Sequence, residues 1–213
     1  MTPKAPSERT KVIRGAPRAL YDQGSVRAII DAAIICHIAI STPDGPRVTP
    51  QYHVRDGDVV YFHGHAKNGM LNAIANGQEA CLSFTCVDGL VLGKAAASHS
   101  FNYRSAVVYG HGRMVSDLEQ IRRALRMIVE RFLPNRWEKV RQPDDGEIRS
   151  IVVVEIPINE ASVKMRAAPP NIGDRDQDFD PWAGVIPITT EMGALQPFDD
   201  DTNGELPEIA WPK

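Results

Sequence analysis

The stretch RVTPQYHVRDGDVVYFHGHAKNGMLNAIANGQEACLSF, residues 47–84, contains the pattern that decides the fold. Two runs rich in β-branched and aromatic residues, 47–54 and 58–64, flank Asp56-Gly57, a dipeptide typical of hairpin turns. The run NGMLNAIANG predicts a short helix that ends at Asn76-Gly77. Because another β-rich run follows at once, the stretch predicts antiparallel strands interrupted by one short helix.

The rest of the chain has the same organisation. Further strand-like runs are CHIAIS, ACLSFTCV, LVLGKA, SAVVYGHGRMV and SIVVVEIPI, and turns are predicted at Pro43-Asp44-Gly45 and Asp88-Gly89. Helices are predicted from Ser25 and from the capping-box pattern that begins at Ser116. Neither a GxGxxG nor a GxxxxGK[ST] motif occurs, so nothing points to a Rossmann or P-loop nucleotide site. We therefore predict a mainly β domain, a barrel with a few flanking helices.

Composition changes define the domain boundaries. Residues 1–22 predict an extended N-terminal arm, and residues 23–170 the barrel domain. Residues 171–213 are acidic and rich in proline, with isolated aromatic and aliphatic residues. We expect this last part to be a tail that packs on the barrel or on a partner subunit.

The charge and apolar content exclude several classes of function. The chain has 24 basic and 27 acidic residues and a net charge of −3, which gives no electrostatic footprint for nucleic acid. No apolar run approaches the roughly 20 residues needed to cross a bilayer, and the first residues lack the apolar core of a signal peptide. Its three cysteines form no CxxC pair and predict buried, reduced thiols. We expect a cytoplasmic protein with no nucleic-acid or membrane partner.

His63 and His65 raise the possibility of a metal site. They are two residues apart on a predicted strand, so their side chains should point to the same face. No HExxH motif, paired cysteine or neighbouring acidic residue accompanies them. A third ligand would have to come from His37, His53, His99 or His111, and we therefore predict no metal centre.

Lys67 suggests an anion site instead. It lies at the start of the short helix, where a cation is unfavourable by up to ~1 kcal/mol unless an anion binds there. Free N–H groups of the first turn, the small residues Gly64 and Gly69, and donors on His65 and Asn68 would complete a phosphate site. A turn exposed to solvent remains the alternative.

The ordered segments RVTPQY, YFHGHAKNGMLNAI and ACLSF resemble the FMN-binding split barrels of the pyridoxamine 5′-phosphate oxidase-like family. The later segments SHSFNYRSAVVYGHGRMV and DPWAGVIPI are similar to its nitroimidazole-reductase-like and flavin-nucleotide-binding branch. The resemblance covers roughly residues 20–165. It implies a homodimer of six-stranded split β-barrels with FMN at the subunit interface.

The resemblance also implies roles for individual residues. One set would lie along the isoalloxazine ring: Val48, Thr49 and Pro50. A second would surround the phosphate and ribityl chain: His63, Gly64, His65, Lys67 and Asn68. A third would line the other side or close over the ring: Tyr103, Arg104, Ser105 and Trp182. Many members have a second basic residue soon after Lys67, where this chain has Gly69 and Met70. The basic C-terminal motif of true pyridoxamine phosphate oxidases is missing, so that substrate is not expected.

The resemblance implies an FMN-dependent oxidoreductase that passes electrons from a reduced nicotinamide to a small acceptor. The cofactor would perform the redox chemistry, and no catalytic residue is identified. Two alternatives stay open. The protein could be a flavin-binding carrier or sensor without turnover, or a split barrel that binds haem through His63 or His65.

Overall fold

The computed structural model describes residues 4–198, 204 and 206–211, and this part of the chain forms eleven strands and four α-helices. The elements are β1 Ala19–Leu20, α1 Gln23–Ala32, β2 Ile35–Thr42, β3 Gly45–Tyr52, β4 Val54–Asp56, β5 Val59–His65, α2 Gly69–Ala75, β6 Glu79–Leu92, β7 Ser100–His111, β8 Arg113–Met114, α3 Leu118–Glu130, α4 Asp145–Arg149, β9 Ile151–Pro157, β10 Ala161–Arg166 and β11 Gly184–Pro187.

The strands form two antiparallel sheets that share one core. The large sheet has the order β1-β10-β7-β6-β2-β3, with β11 paired to β6, and the small sheet has the order β4-β5-β9-β8. The chain passes from one sheet to the other at His53, through α2 between β5 and β6, at Gly112, and between β9 and β10. A Cβ at Gly112 would lie 2.4 Å from Ile74 Cγ2, so this bend requires glycine. The predicted mainly β, split-barrel fold is confirmed, with more strands than the six expected.

Strict alternation along the strands fills the core. In β2, Cys36, Ile38 and Ile40 point inward, whereas Ile35 and His37 point outward. The core also takes residues from both sheets and from α1 and α2, namely Val26, Ile30, Val60, Phe62, Leu71, Ile74, Leu82, Phe84, Val154 and Ile156. A smaller apolar cluster lies between the small sheet and α3 and α4.

The predicted turn at Asp88-Gly89 is wrong. Strand β6 runs without interruption from Glu79 to Leu92, and its pairing with β7 skips Asp88 between Val87 and Gly89. An Asp-Gly pair suits a β-bulge as well as a turn, and here the long partner strand β7 favours the bulge.

Two predicted helix caps are also displaced along the sequence. Asp22, not Ser25, caps α1, because its carboxylate accepts from the Ser25 N–H at 2.8 Å. Asp117, one residue after Ser116, caps α3.

The N-terminal arm is attached to the large sheet. Arg9 donates to Glu160 at 2.6 and 2.8 Å and to Glu79 at 2.7 Å, and its guanidinium lies 4.5 Å from the Tyr109 ring centre. Residues 1–3 of the predicted arm lie outside the described residues.

The tail packs on the same domain. Strand β11 pairs with β6. Trp211 donates to the Thr190 carbonyl, and its ring centre lies 5.2 Å from that of Phe132. Within the predicted tail, residues 199–203, 205, 212 and 213 lie outside the described residues. No helix in the described part is both long and apolar enough to span a membrane. All three cysteines are free, with Cys36 buried and Cys81 and Cys86 half-buried.

Candidate functional site

Strand β3 and the start of α2 meet in space. The Thr49 hydroxyl donates to Met70 Sδ at 2.9 Å, which holds residues 48–50 against the first turn of the helix. Val48 is 59% exposed and Pro50 is also exposed, and both point to the opposite face of β3 from Thr49, where they form an open apolar surface. The structure therefore brings together the segments predicted to contact the flavin ring and its phosphate.

Lys67 is a free cation beside this contact. Its side chain is exposed and has no hydrogen-bond or ion-pair partner in the part of the chain that the structure describes. Its backbone N–H donates to His65 Nδ1 at 3.1 Å. The Asn68 side chain accepts from the Leu71 N–H at 3.0 Å and caps α2. Asn68 is thus explained by the helix, whereas the Lys67 ammonium remains available to a ligand.

The two glycines of this turn have different roles. A Cβ at Gly64 would lie 2.9 Å from Leu71 Cδ1, so Gly64 is required for packing between β5 and α2. A Cβ at Gly69 would meet nothing within 4 Å. Only Gly69 therefore faces open space where a ligand could approach.

His63 lies on a different face of β5 from Gly64. It is paired with Val153, which belongs to the apolar cluster under α3 and α4. Its Nδ1 is buried without a hydrogen-bond partner, and burial lowers the pKa of the imidazole. His63 is therefore a neutral ring next to that cluster and is separated from Thr49 by the sheet.

Tyr103 and Ser105 lie on β7, far from β3 within one subunit. Three strand-to-strand steps separate β7 from β3, which corresponds to about 14 Å. Arg104 points to the opposite face and holds Asp88 with contacts of 2.8 and 3.0 Å, which raise its pKa. Within one subunit, Tyr103 and Ser105 therefore do not reach Val48. Arg104 is not available to a ligand, because it already forms an internal ion pair.

Trp182 is 64% exposed, and its ring covers Gly184, where a Cβ would lie 2.7 Å from Trp182 Cη2. The adjoining β11 pairs with the far end of β6, Gly89–Leu92, whereas β2 pairs with Cys81–Phe84. Trp182 therefore belongs to a different part of the large sheet from Val48.

The large sheet has an outer face, formed beside β3 by Ile35, His37, Ala39, Val48 and Pro50. His37 is paired with Pro50, and Ala39 with Val48, so these side chains share one side of the sheet. His37 is exposed and has no hydrogen-bond partner among the described residues. It is a free imidazole on an apolar surface.

The other histidines are held by the protein. His53 is buried, its Nε2 lies 2.8 Å from the Ile30 carbonyl, and burial together with the charge of Arg131 lowers its pKa to about 4. His99 and His111 each bond a backbone carbonyl through Nδ1, at 3.1 and 2.9 Å. The described residues contain no group of three or more His, Cys, Asp or Glu side chains that could hold a metal ion.

The sequence pattern of the family described as pyridoxamine 5′-phosphate oxidase matches residues 22–165, which is more than half of the chain. The chain belongs to the pyridoxamine 5′-phosphate oxidase family. The resemblance that the sequence suggested is thereby confirmed. The comparison with curated proteins finds no match to this chain.

Among solved structures, this family member is similar to the flavocytochrome Anf3 from Azotobacter vinelandii. The identity is 36%, the match covers 96% of this chain and 95% of that one, and the TM-score is 0.89. It is also similar to an FAD and haem binding protein from Mycobacterium smegmatis, with 28% identity, 88% and 92% coverage and a TM-score of 0.82. A candidate 5-nitroimidazole antibiotic resistance protein from Bacteroides thetaiotaomicron, at 23% identity, 68% and 85% coverage and a TM-score of 0.58, shares the fold.

In this member of the pyridoxamine 5′-phosphate oxidase family, the sequence suggested His37 only as a possible third metal ligand. The alternation of Cys36, Ile38 and Ile40 on the inward side already indicates that His37 points outward. The predicted site residues thus form two groups. Val48–Pro50 and the turn of Lys67 are joined through the contact of Thr49 with Met70, whereas Tyr103, Ser105 and Trp182 lie elsewhere on the large sheet.

Proposed function

We propose that this protein is a flavin- and haem-binding redox protein, and that it works as a flavin-dependent oxidoreductase. The two similar proteins with the highest identities cited above are named for these cofactors, one as a flavocytochrome and one as an FAD and haem binding protein. The observation that carries the proposal is the contact between Thr49 and Met70, which brings β3 against the first turn of α2, directly after the exposed Lys67.

The residues at this contact fit a flavin nucleotide. Val48 and Pro50 provide apolar surface for the rings and exclude water from them, and Lys67 neutralises a phosphate. Gly69 leaves room for that phosphate. A bound flavin supplies hydride acceptance and single-electron transfer. We propose FMN as the flavin, because the sequence resembles FMN-binding split barrels. The mass of the flavin released on denaturation distinguishes FMN from FAD.

Lys67→Glu should weaken flavin retention at least tenfold. The change removes a charge-assisted contact and places a carboxylate next to the phosphate. Flavin content after gel filtration and the dissociation constant of the refilled protein measure this effect. Arg175→Glu is the control, since Arg175 is an exposed cation of the tail. Equal retention by the two variants would contradict the site.

Reduced nicotinamide is the proposed electron donor, and the acceptor is a small molecule. With wild-type protein, NADPH or NADH should bleach the flavin absorbance, and a small acceptor should restore it. A flavin that stays oxidised in excess reduced nicotinamide would instead indicate a carrier or sensor. We also propose a cytoplasmic location, because the three cysteines are free thiols.

His37 is the residue that best fits a haem ligand. An axial ligand needs an accessible imidazole nitrogen, and a porphyrin needs apolar surface around it. His37 offers both, with Ile35 and Ala39 of the same strand on the same face. His63, one of the ligands that the sequence suggested, points into the cluster under α3 and α4. A bound haem supplies one-electron chemistry.

His37→Ala should abolish or strongly shift the Soret band of the purified protein while the fold is kept. Haem content and the absorbance spectrum measure this, and far-ultraviolet circular dichroism reports on folding. His65→Ala and His63→Ala are matched controls that should leave the band in place. A normal Soret band in the His37 variant would show that His37 is not the haem ligand. Loss of the band in the His63 or His65 variant would assign the ligand to that residue instead.

We propose that the protein is a homodimer in which the outer face of the large sheet meets its partner. The exposed apolar residues Ile35 and Val48 favour burial of this face. A second subunit would also bring its own Tyr103 and Ser105 toward β3, which one subunit alone does not do. The flavin would then lie at the interface.

A further inference from the structure

We propose that a second anion site, separate from Lys67, binds a phosphate or pyrophosphate group in a pocket between the N-terminal arm and β10. The pocket has a volume of about 460 Å³. It is lined by Arg14, Gly15, Pro17, Arg18 and Lys164.

The three cations of this pocket have no acidic partner among the described residues. Most arginines elsewhere hold a carboxylate, as Arg27 holds Asp58 and Arg122 holds Asp145. The chain has more acidic than basic residues, so carboxylates are not scarce. Three like charges around one concave surface repel one another, which is unfavourable. A bound dianion would make the electrostatic energy of the pocket favourable.

The geometry brings two of these side chains, Lys164 and Arg18, together over Gly15. Gly15 has φ of 75°, in the left-handed region that favours glycine. A Cβ at this position would lie 3.7 Å from Lys164 Nζ and 3.8 Å from Arg18 Cδ. The Arg18 N–H donates to the Gly15 carbonyl at 2.9 Å and closes the turn. The ammonium and the arginine side chain therefore converge over a backbone that has no side chain.

The pocket is fixed at both ends before any ligand binds. Upstream, Arg9 is held by Glu160 and Glu79. Downstream, β1 pairs with β10, with Ala19 directly opposite Lys164. Because the turn is already ordered, binding would cost little conformational entropy.

This pocket is distinct from the Lys67 turn. Strand β10 is four steps from β3 in the large sheet, about 19 Å, and Lys67 does not line the pocket. Lys164 lies instead beside Ser105, whose hydroxyl donates to the Lys164 carbonyl at 3.1 Å. The phosphate group could belong to a separate small ligand or to the far end of a flavin dinucleotide.

The test is calorimetric titration of the purified full-length protein with inorganic pyrophosphate. We expect the double variant Arg18→Gln/Lys164→Gln to bind about 100-fold more weakly, because two charge-assisted contacts are lost. The control Arg47→Gln/Arg175→Gln removes two exposed cations that do not line the pocket and should bind as the wild type does. Thermal midpoints verify that both variants fold.

Equal affinity in the two double variants, or no pyrophosphate binding by the wild type, would overturn the inference. Flavin content in the same samples separates the two sources. Flavin lost together with pyrophosphate binding assigns the pocket to the flavin's own phosphates, and unchanged flavin assigns it to a separate phosphorylated ligand. Binding of pyrophosphate by protein that never holds flavin would support the pocket while contradicting the proposed function.

Discussion

Replacing Arg131 with methionine is expected to lower the free energy of unfolding by about 3–5 kcal/mol. The half-buried guanidinium donates to the carbonyls of Ala33 at 2.5 Å, His53 at 2.6 Å and Asp31 at 3.2 Å. It therefore connects the end of α1 to the point where the chain leaves the large sheet. Methionine keeps most of the apolar contact with Phe132 but leaves these carbonyls without their donor.

Denaturant unfolding of the two proteins measures this effect. Arg126→Met, on the exposed side of α3, is the matched control, and loss of its surface pairs with Glu130 and Glu138 should cost less than ~1 kcal/mol. Similar costs for the two variants would show that the carbonyl contacts of Arg131 contribute little.

A pH titration gives a second, independent measurement of the same change. The pKa of His53 is lowered to about 4, first by burial and second by the charge of Arg131. An unfolded histidine titrates near 6.5, so the unfolded chain binds more protons than the native state between pH 6.5 and about 4. Stability in the wild type should fall as the pH drops through this window. Without Arg131 the pKa of His53 should rise and the loss should shrink, which histidine NMR resonances can report.

Much of the fold could be predicted because its signals are local. The inward side of β2 follows from the alternation of Cys36, Ile38 and Ile40, and the short helix α2 ends at Asn76-Gly77 as its sequence indicates. The bulge at Asp88 could not be predicted, since the same dipeptide suits a turn and only the distant strand β7 decides between them.

The candidate site was predictable only in part, because its contacts join residues that are far apart in sequence. Lys67 could be identified from its position before a helix, which is a local feature. The contact of Thr49 with Met70 and the ion pair of Arg104 with Asp88 depend on strand register. The pocket of Arg18 and Lys164 joins opposite ends of the domain, and neither segment alone has a recognisable motif.

Val48→Asp should convert the proposed homodimer into single chains. Val48 is 59% exposed on the outer face, opposite Ala39 and two residues from Pro50. A dimer would bury this position among apolar side chains, and an unpaired carboxylate there costs several kcal/mol. That cost occurs in both subunits of a symmetric interface, so the dissociation constant should rise at least about 1000-fold.

Light scattering coupled to gel filtration distinguishes the outcomes. The wild type should have the mass of two chains, and the Val48 variant should have the mass of one. Flavin retention should fall when the dimer dissociates, because the flavin ring would lose the half of its site that the partner supplies. Leu118→Asp is the control, since Leu118 is 40% exposed at the first position of α3, where an acidic residue suits the helix. If the Val48 variant is still a dimer, the interface lies elsewhere. If the wild type is a monomer, each chain binds its cofactors alone and the proposed interface is wrong.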